Sequence, residues 1–156
     1  MLSFPYLSEL LVGPPPPSLP SGSTARWRPL VPVRLFGSAG GFRYFPRALL
    51  DTGADDSIFP LDAATALGVT LKADVGQVIR WRGQQHALRF GDVELELADE
   101  SGAVWRWPAV VGFSPAPIRY PLLGNAGCLG FLDATFRGHA RLVELQTTPS
   151  YPGTTS

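Results

Sequence analysis

Short apolar segments separated by turn residues run through most of this chain, and the pattern limits the folds available to it. Between residues 28 and 145 each apolar segment ends at a glycine, a proline or a polar pair. Such segments are typical of strands. The clearest example alternates strictly between apolar and acidic side chains over residues 93–97. We therefore predict a mostly β protein, a small closed barrel in which turns connect the strands.

Two segments break the β pattern and are predicted as short helices. Residues 61–67 carry Asp62 in the first turn, and Gly68 suits the C-terminal end of a helix. Residues 125–132 form the second candidate. Residues 78–82 and 85–90 flank Gly83 as a predicted hairpin.

The composition excludes several classes of function. Thirteen basic and thirteen acidic residues give a net charge of zero, whereas a nucleic-acid site requires clustered basic residues. No apolar run approaches the roughly 18 residues that cross a bilayer. Cys128 is the single cysteine, so no internal disulfide can form. We predict a cytoplasmic protein with no nucleic-acid or membrane partner.

One domain of ordinary size accounts for the length of 156 residues. Proline is concentrated at residues 14–17 and 20, which predicts that residues 1–25 are a stiff linker outside the domain. The domain is predicted at residues 26–146. The polar residues 147–156 are predicted to form a flexible tail.

A triplet, Asp51-Thr52-Gly53, follows an apolar run and occurs once. A carboxylate fixed on a tight turn can activate water. Two carboxyls at one site cannot both ionise cheaply, so one accepts a proton from water while the other polarises a carbonyl. Because the chain has one triplet and no internal repeat, this chemistry requires a second chain. The alternative is an unrelated β domain in which the triplet is only a structural turn.

The residues around the triplet resemble a known family. Residues 48–57 read Ala-Leu-Leu-Asp-Thr-Gly-Ala-Asp-Asp-Ser and closely resemble the active-site segment of retropepsin-like aspartic peptidases. Residues 28–31, Arg-Pro-Leu-Val, resemble the family's opening strand, and residues 121–125, Pro-Leu-Leu-Gly-Asn, are similar to its second signature. The resemblance covers about residues 28–136. It implies an acid-protease barrel, a two-fold homodimer, a peptide or protein substrate, and no cofactor or metal.

The resemblance also implies roles for individual residues. Asp51 would be the catalytic aspartate, Thr52 would brace the pair across the two-fold axis, and the backbone of Gly53 would meet substrate. Arg28 would support the dimer by reaching the aspartate at position 55 of the other chain. The residues expected to contact substrate are Ala54, Asp55, Asp56, Trp81, Arg82, Gly83, Leu122, Leu123 and Gly124.

Two departures from the family keep a second function open. The region of the flap, the hairpin that closes over substrate in the family, has one glycine, Gly83, where relatives carry several. Asn125 stands where retroviral members have an arginine that braces the catalytic loop. The alternative is a catalytically weak or inactive dimer that binds peptides or serves in assembly. A further possibility is that residues 1–25 mask the site until they are removed.

The remaining chemical side chains have simpler interpretations. His86 and His139 lack metal-ligand spacing. Cys128 is predicted to be a buried apolar cysteine rather than a nucleophile. Trp105 and Trp107 are expected to share one face of a strand and to pack in the core or an interface.

Overall fold

A computed structural model describes residues 1–72 and 78–156, with Trp81 described only in its backbone. Strands account for 52% of the residues and helices for 6%, so the predicted mostly β class is confirmed. Among the described residues, no helix combines the length and apolar character needed to span a bilayer.

Fourteen strands and one α-helix occur in the described residues. The first half contains β1 (Leu2–Pro5), β2 (Leu7–Leu10), β3 (Ala25–Arg28), β4 (Leu30–Phe36), β5 (Phe42–Leu50), β6 (Ile58–Pro60) and α1 (Leu61–Ala66). The second half contains β7 (Val78–Trp81), β8 (Gln84–Ala87), β9 (Arg89–Ala98), β10 (Val104–Ser114), β11 (Leu122–Leu123), β12 (Leu132–Arg137), β13 (Leu142–Thr147) and β14 (Thr154–Thr155).

Six strands close into a barrel, which confirms the predicted small closed barrel. The order is β10-β6-β11-β5-β4-β9, and β9 pairs again with β10 to complete the ring. The longest pairing is antiparallel and places Leu97 opposite Trp105 and Leu95 opposite Trp107. Closure leaves these strands without an open edge inside the ring.

Side-chain alternation on β9 and β10 builds the core. Trp107 is fully buried and Trp105 almost so, as expected for two residues that share one strand face. The Trp107 indole N–H donates to the carbonyl of Gly127 at 2.8 Å. Arg106, between the two tryptophans, points outward and pairs with Glu94. The period-two pattern therefore separates a packed interior from a charged exterior.

The first predicted helix is confirmed and the second is wrong. Helix α1 ends before Gly68, which has φ of +65°. In place of a helix over residues 125–132 there is one 3₁₀ turn, Leu129–Phe131. Gly127 has φ of +83° and Cys128 has φ of −144°. Neither conformation continues an α-helix.

The structure corrects both predicted domain boundaries. Strand β1 pairs with β13, with Leu2 opposite Leu145 and Phe4 opposite Val143. Leu2 and Phe4 are buried in the main core, because alternate residues of a strand point to the same face. Strands β2 and β3 form a hairpin, so only the proline-rich segment between them is a loop.

The C-terminal segment is also part of the fold rather than a free tail. Strand β14 pairs with β10, which places Thr155 opposite Trp105. The ring of Tyr151 lies 5.9 Å from the ring of Trp107. These aromatic contacts tie residues 151–155 to the barrel.

Candidate active site

The Asp51 carboxylate lies on a tight turn directly after β5. Its Oδ1 accepts a hydrogen bond of 2.9 Å from the backbone N–H of Gly53. The carbonyl of Asp51 accepts a second from the N–H of Ala54 at 3.2 Å. Among the described residues, no side chain or backbone group donates to Oδ2. The turn therefore fixes the orientation of the carboxylate and leaves one oxygen for another molecule.

Strand β11 holds the beginning of this turn in place. Strand β11 runs parallel to β5, with Leu123 opposite Leu50, and antiparallel to β6. The backbone N–H of Asp51 donates to the carbonyl of Leu123 at 3.1 Å. The structure thus brings the triplet and the second signature together, although 71 positions of chain separate Thr52 from Leu123.

Gly124 lies at the crossing, the place where residues 54–57 and residues 122–126 pass against each other. A Cβ at this position would lie 2.4 Å from the carbonyl oxygen of Asp56 and 2.7 Å from that of Ala54. Backbone oxygens cannot yield as the tip of a side chain can, so only glycine fits here.

Ser57 is a buried connector that the sequence analysis missed. Its side chain is fully buried. The hydroxyl accepts from the N–H of Gly124 at 3.1 Å and donates to the carbonyl of Ala126 at 2.8 Å. A serine directly after Asp56 and before a buried strand is the local signal, but its partners are distant in sequence.

Asn125 supports the outer side of the same turn. Its side-chain amide donates to the carbonyl of Thr52 at 3.4 Å, and its backbone N–H donates to the carbonyl of Ala54 at 2.9 Å. Asn125 therefore braces the turn itself, at the position where retroviral peptidases have an arginine. The Thr52 side chain is exposed, and its predicted bonds to a second chain stay a prediction.

The two acidic residues after the turn differ in environment. Asp55 is exposed and Asp56 is half-buried. Burial raises the pKa of Asp56, and the negative charge of Asp55 raises it further. Within one chain, Arg28 contacts Glu9 at 3.5 Å rather than Asp55. A contact from Arg28 to Asp55 of another chain stays a prediction.

An apolar cleft of about 380 Å³ lies between the β7–β8 hairpin and the barrel. Leu122 lines it, together with Ile79 and Ile118. Leu123 is fully buried in the core, so only its backbone is available to the site. The predicted role of the Trp81 side chain lies outside the described residues.

The turn at the end of the predicted hairpin is present. Arg82 has φ of +49° and Gly83 has φ of +77°, and both residues are exposed. Two left-handed residues in succession are typical of a two-residue hairpin turn. Substrate contacts for Arg82 and Gly83 stay predictions.

Glu9 is the second residue that the sequence analysis missed. It is 7% exposed, and its carboxylate accepts from Arg119 at 2.5 Å and from the Tyr120 hydroxyl at 3.2 Å. Arg28, Arg119 and Tyr120 all line the cleft. An acidic residue inside an apolar strand is the signal for this cluster, since a buried carboxylate requires donors.

The single cysteine is part of the core. Cys128 is fully buried, and burial raises the pKa of its thiol to about 12. This confirms the expected buried cysteine and makes the thiolate scarce. Among the described residues, no group of three or more His, Cys, Asp or Glu side chains is arranged to hold a metal.

No model of a known protein family matches the chain, and no curated protein matches it significantly.

Proposed function

We propose that this chain is one subunit of a homodimeric, retropepsin-like aspartic endopeptidase that hydrolyses peptide bonds in the cytoplasm. The observation that carries the proposal is the Asp51 carboxylate, which its own turn orients while Oδ2 stays available. In the proposed reaction the ionised Asp51 of one chain takes a proton from water. The protonated Asp51 of the other chain donates its proton to the scissile carbonyl oxygen as the water oxygen attacks the carbonyl carbon. The tetrahedral intermediate then collapses: the C–N bond breaks, the leaving nitrogen receives the proton taken from water, and a hydroxyl proton returns to the dyad.

The surface beside Asp51 supports an approach by a second copy. Asp51 and Thr52 line an open groove of about 410 Å³. Trp27 and Phe136 line the same groove and are 44% and 37% exposed. Large exposed apolar side chains beside a functional group are typical of an interface. A two-fold axis at this groove would bring the same carboxylate of both chains together.

The test compares wild type with Asp51→Asn on a denatured proteome, with new peptide termini read by mass spectrometry. We expect Asp51→Asn to lose at least about a hundredfold in rate, because the amide cannot act as a general base. The wild type should elute as a particle of twice 16.8 kDa and cleave at acidic to neutral pH. Activity equal to wild type in Asp51→Asn, or a fully active monomer, would overturn the proposal.

Asp92→Asn is the matched control for this experiment. The Asp92 side chain is 76% exposed and pairs with Lys72 on the surface. It carries the same chemical change away from the candidate site, so we expect full activity. Both variants should keep the circular dichroism spectrum and the elution volume of the wild type.

A dimeric peptide-binding or assembly module is the second candidate function. The apolar cleft is complete within one chain, so it can hold a side chain without a pair of acids. Wild-type protein that binds peptides under all conditions tested and never cleaves them would favour this function.

A further inference from the structure

The cleft under the β7–β8 hairpin combines an apolar interior with a cationic rim. Its volume is about 380 Å³. The apolar side chains that line it are Leu49, Ile58, Ile79, Ile118 and Leu122. Tyr120 and three arginines complete the lining, with Arg28 and Arg119 on the barrel side and Arg80 on the hairpin. Among the described residues, no acidic side chain lines the cleft itself.

Glu9 compensates only part of this positive charge. Its single carboxylate pairs with both Arg119 and Arg28. On the opposite wall, Arg80 is exposed, and no carboxylate within residues 1–72 and 78–156 pairs with it. Counted over the described part of the chain, one negative charge therefore faces three positive charges at the cleft.

We propose that the cleft selects peptides in which an acidic residue stands near an aliphatic or aromatic residue; this rests on the proposed peptidase function and specifies its substrate. The apolar side chain enters the cleft between Ile79 and Leu122. The neighbouring carboxylate binds Arg80, which presents a planar set of N–H donors that matches two carboxylate oxygens. Arg119, whose side chain is 63% exposed, provides the second cationic position.

Glu9 acts as a positioning residue for the opposite wall. Its hydrogen bonds hold Arg119 and the Tyr120 hydroxyl beside the cleft. The same carboxylate lowers the positive potential there, so it moderates the preference for acidic peptides. Glu9 of β2, which the sequence analysis placed in a linker, thus supports residues of the substrate-binding wall.

The test uses full-length protein carrying Asp51→Asn, so that binding is measured without turnover. The probes are fluorescein-labelled peptides with one central phenylalanine and a single glutamate at each flanking position in turn. Each is paired with the peptide that has glutamine at the same position. Fluorescence anisotropy at low and high salt then gives the ratio of the two dissociation constants.

We expect at least one glutamate peptide to bind about three- to fivefold more tightly than its glutamine partner, as for an exposed ion pair. The ratio should fall at high salt. Adding Arg80→Gln should bring the ratio close to one. Adding Arg43→Gln, which removes a surface arginine that pairs with Asp62, should leave it unchanged.

Glu9→Gln tests the positioning role with little change in side-chain shape. We expect the glutamate preference to increase, because Arg28 and Arg119 lose their compensating charge, and Glu9→Asp should restore the ratio. Equal binding of glutamate and glutamine peptides at every position would overturn the proposal, as would a ratio unaffected by both Arg80→Gln and Glu9→Gln.

Wild-type protein with the same peptides separates this proposal from the peptidase function. Glutamate-dependent binding without cleavage would overturn the peptidase function and keep the specificity. Cleavage at equal rates for both peptide series would keep the peptidase function and overturn the specificity.

Discussion

Two tight turns border the candidate site, and they are held in opposite ways. The segment that follows the Asp51 turn packs against Gly124, where an added Cβ would lie 2.4 Å from a backbone oxygen. The turn at Gly83 ends a hairpin, and an added Cβ there would meet no atom within 4 Å. The first turn is specified by distant parts of the chain and the second by its own two residues.

The two turns belong to two different parts of the site. The floor, residues 50–57 and 122–125, is fixed in place, whereas the wall, the β7–β8 hairpin, is held mainly by side-chain packing. The floor combines hydrogen bonds from Ser57 and Asn125 with a parallel strand pair. The hairpin packs on the barrel through Ile79, which contacts a small cluster that includes Ile58 and Leu88. The floor therefore fixes the orientation of the Asp51 carboxylate, and the hairpin meets the barrel at the Ile79 side chain.

Gly124→Ala should produce the largest effect. Because the methyl group would overlap two backbone oxygens, the crossing must separate, and we expect a loss of about 3 kcal/mol or more in the free energy of unfolding. Urea denaturation followed by fluorescence measures it. Gly138→Ala is the control, since an added Cβ there meets no atom within 4 Å. A loss below about 1 kcal/mol would contradict a fixed floor.

Ser57→Ala should have an intermediate effect. Removal of the buried hydroxyl leaves the Gly124 N–H and the Ala126 carbonyl without this partner, at an expected cost of about 1–3 kcal/mol. Ser38→Ala is the matched control, because its hydroxyl donates to Gly68 on an exposed surface. If both variants lose the same free energy in denaturation, burial of the Ser57 hydroxyl is not what stabilises the crossing.

Local patterns predicted the elements, because those patterns act within a strand or a turn. The alternation on β9 and the stop at Gly68 required only neighbouring residues. The crossing at Gly124 depends on Ser57, which lies 67 positions away. Local sequence patterns do not indicate which residues so far apart in the chain will be in contact.

The N-terminal error has a similar physical origin. The proline-rich loop dominates the composition of residues 1–25 and concealed Leu2 and Phe4, two alternating apolar residues that pair with β13. In the sequence, Glu9 is a single acidic residue within a short apolar segment. Its role is visible once Arg119 and Tyr120 are close to it in space.

Gly83→Ala should have a smaller effect than either change at the floor. The added methyl group meets no neighbour, but a left-handed conformation costs an L-residue about 1 kcal/mol. Because the turn is local, hydrogen exchange of the β7 and β8 amides should speed up while the barrel amides are unchanged. Faster exchange at the Asp51 turn as well would show that the two turns are coupled and would remove the distinction between them.

Asp56→Asn should produce the smallest effect and tests whether the fixed floor carries an electrostatic cost. Burial, and then the charge of Asp55, raise the pKa of Asp56 above its ordinary value of 3.8. Between the unfolded pKa and the higher folded pKa of Asp56, the folded state therefore binds more protons than the unfolded state. The free energy of unfolding falls as pH rises through that window.

At pH 7 the ionised Asp56 destabilises the fold, whereas below the unfolded pKa it does not. Asp56→Asn should raise the unfolding free energy by about 0.5 kcal/mol or less at pH 7, since the group is half-exposed, and the gain should disappear in acid. Asp55→Asn should recover a smaller part, because its charge is the second cause of the shift. Thermal unfolding from pH 3 to 7 measures both variants. A stability loss in Asp56→Asn at pH 7 would mean that the ionised carboxylate is favourably held, and the floor would then have no electrostatic cost.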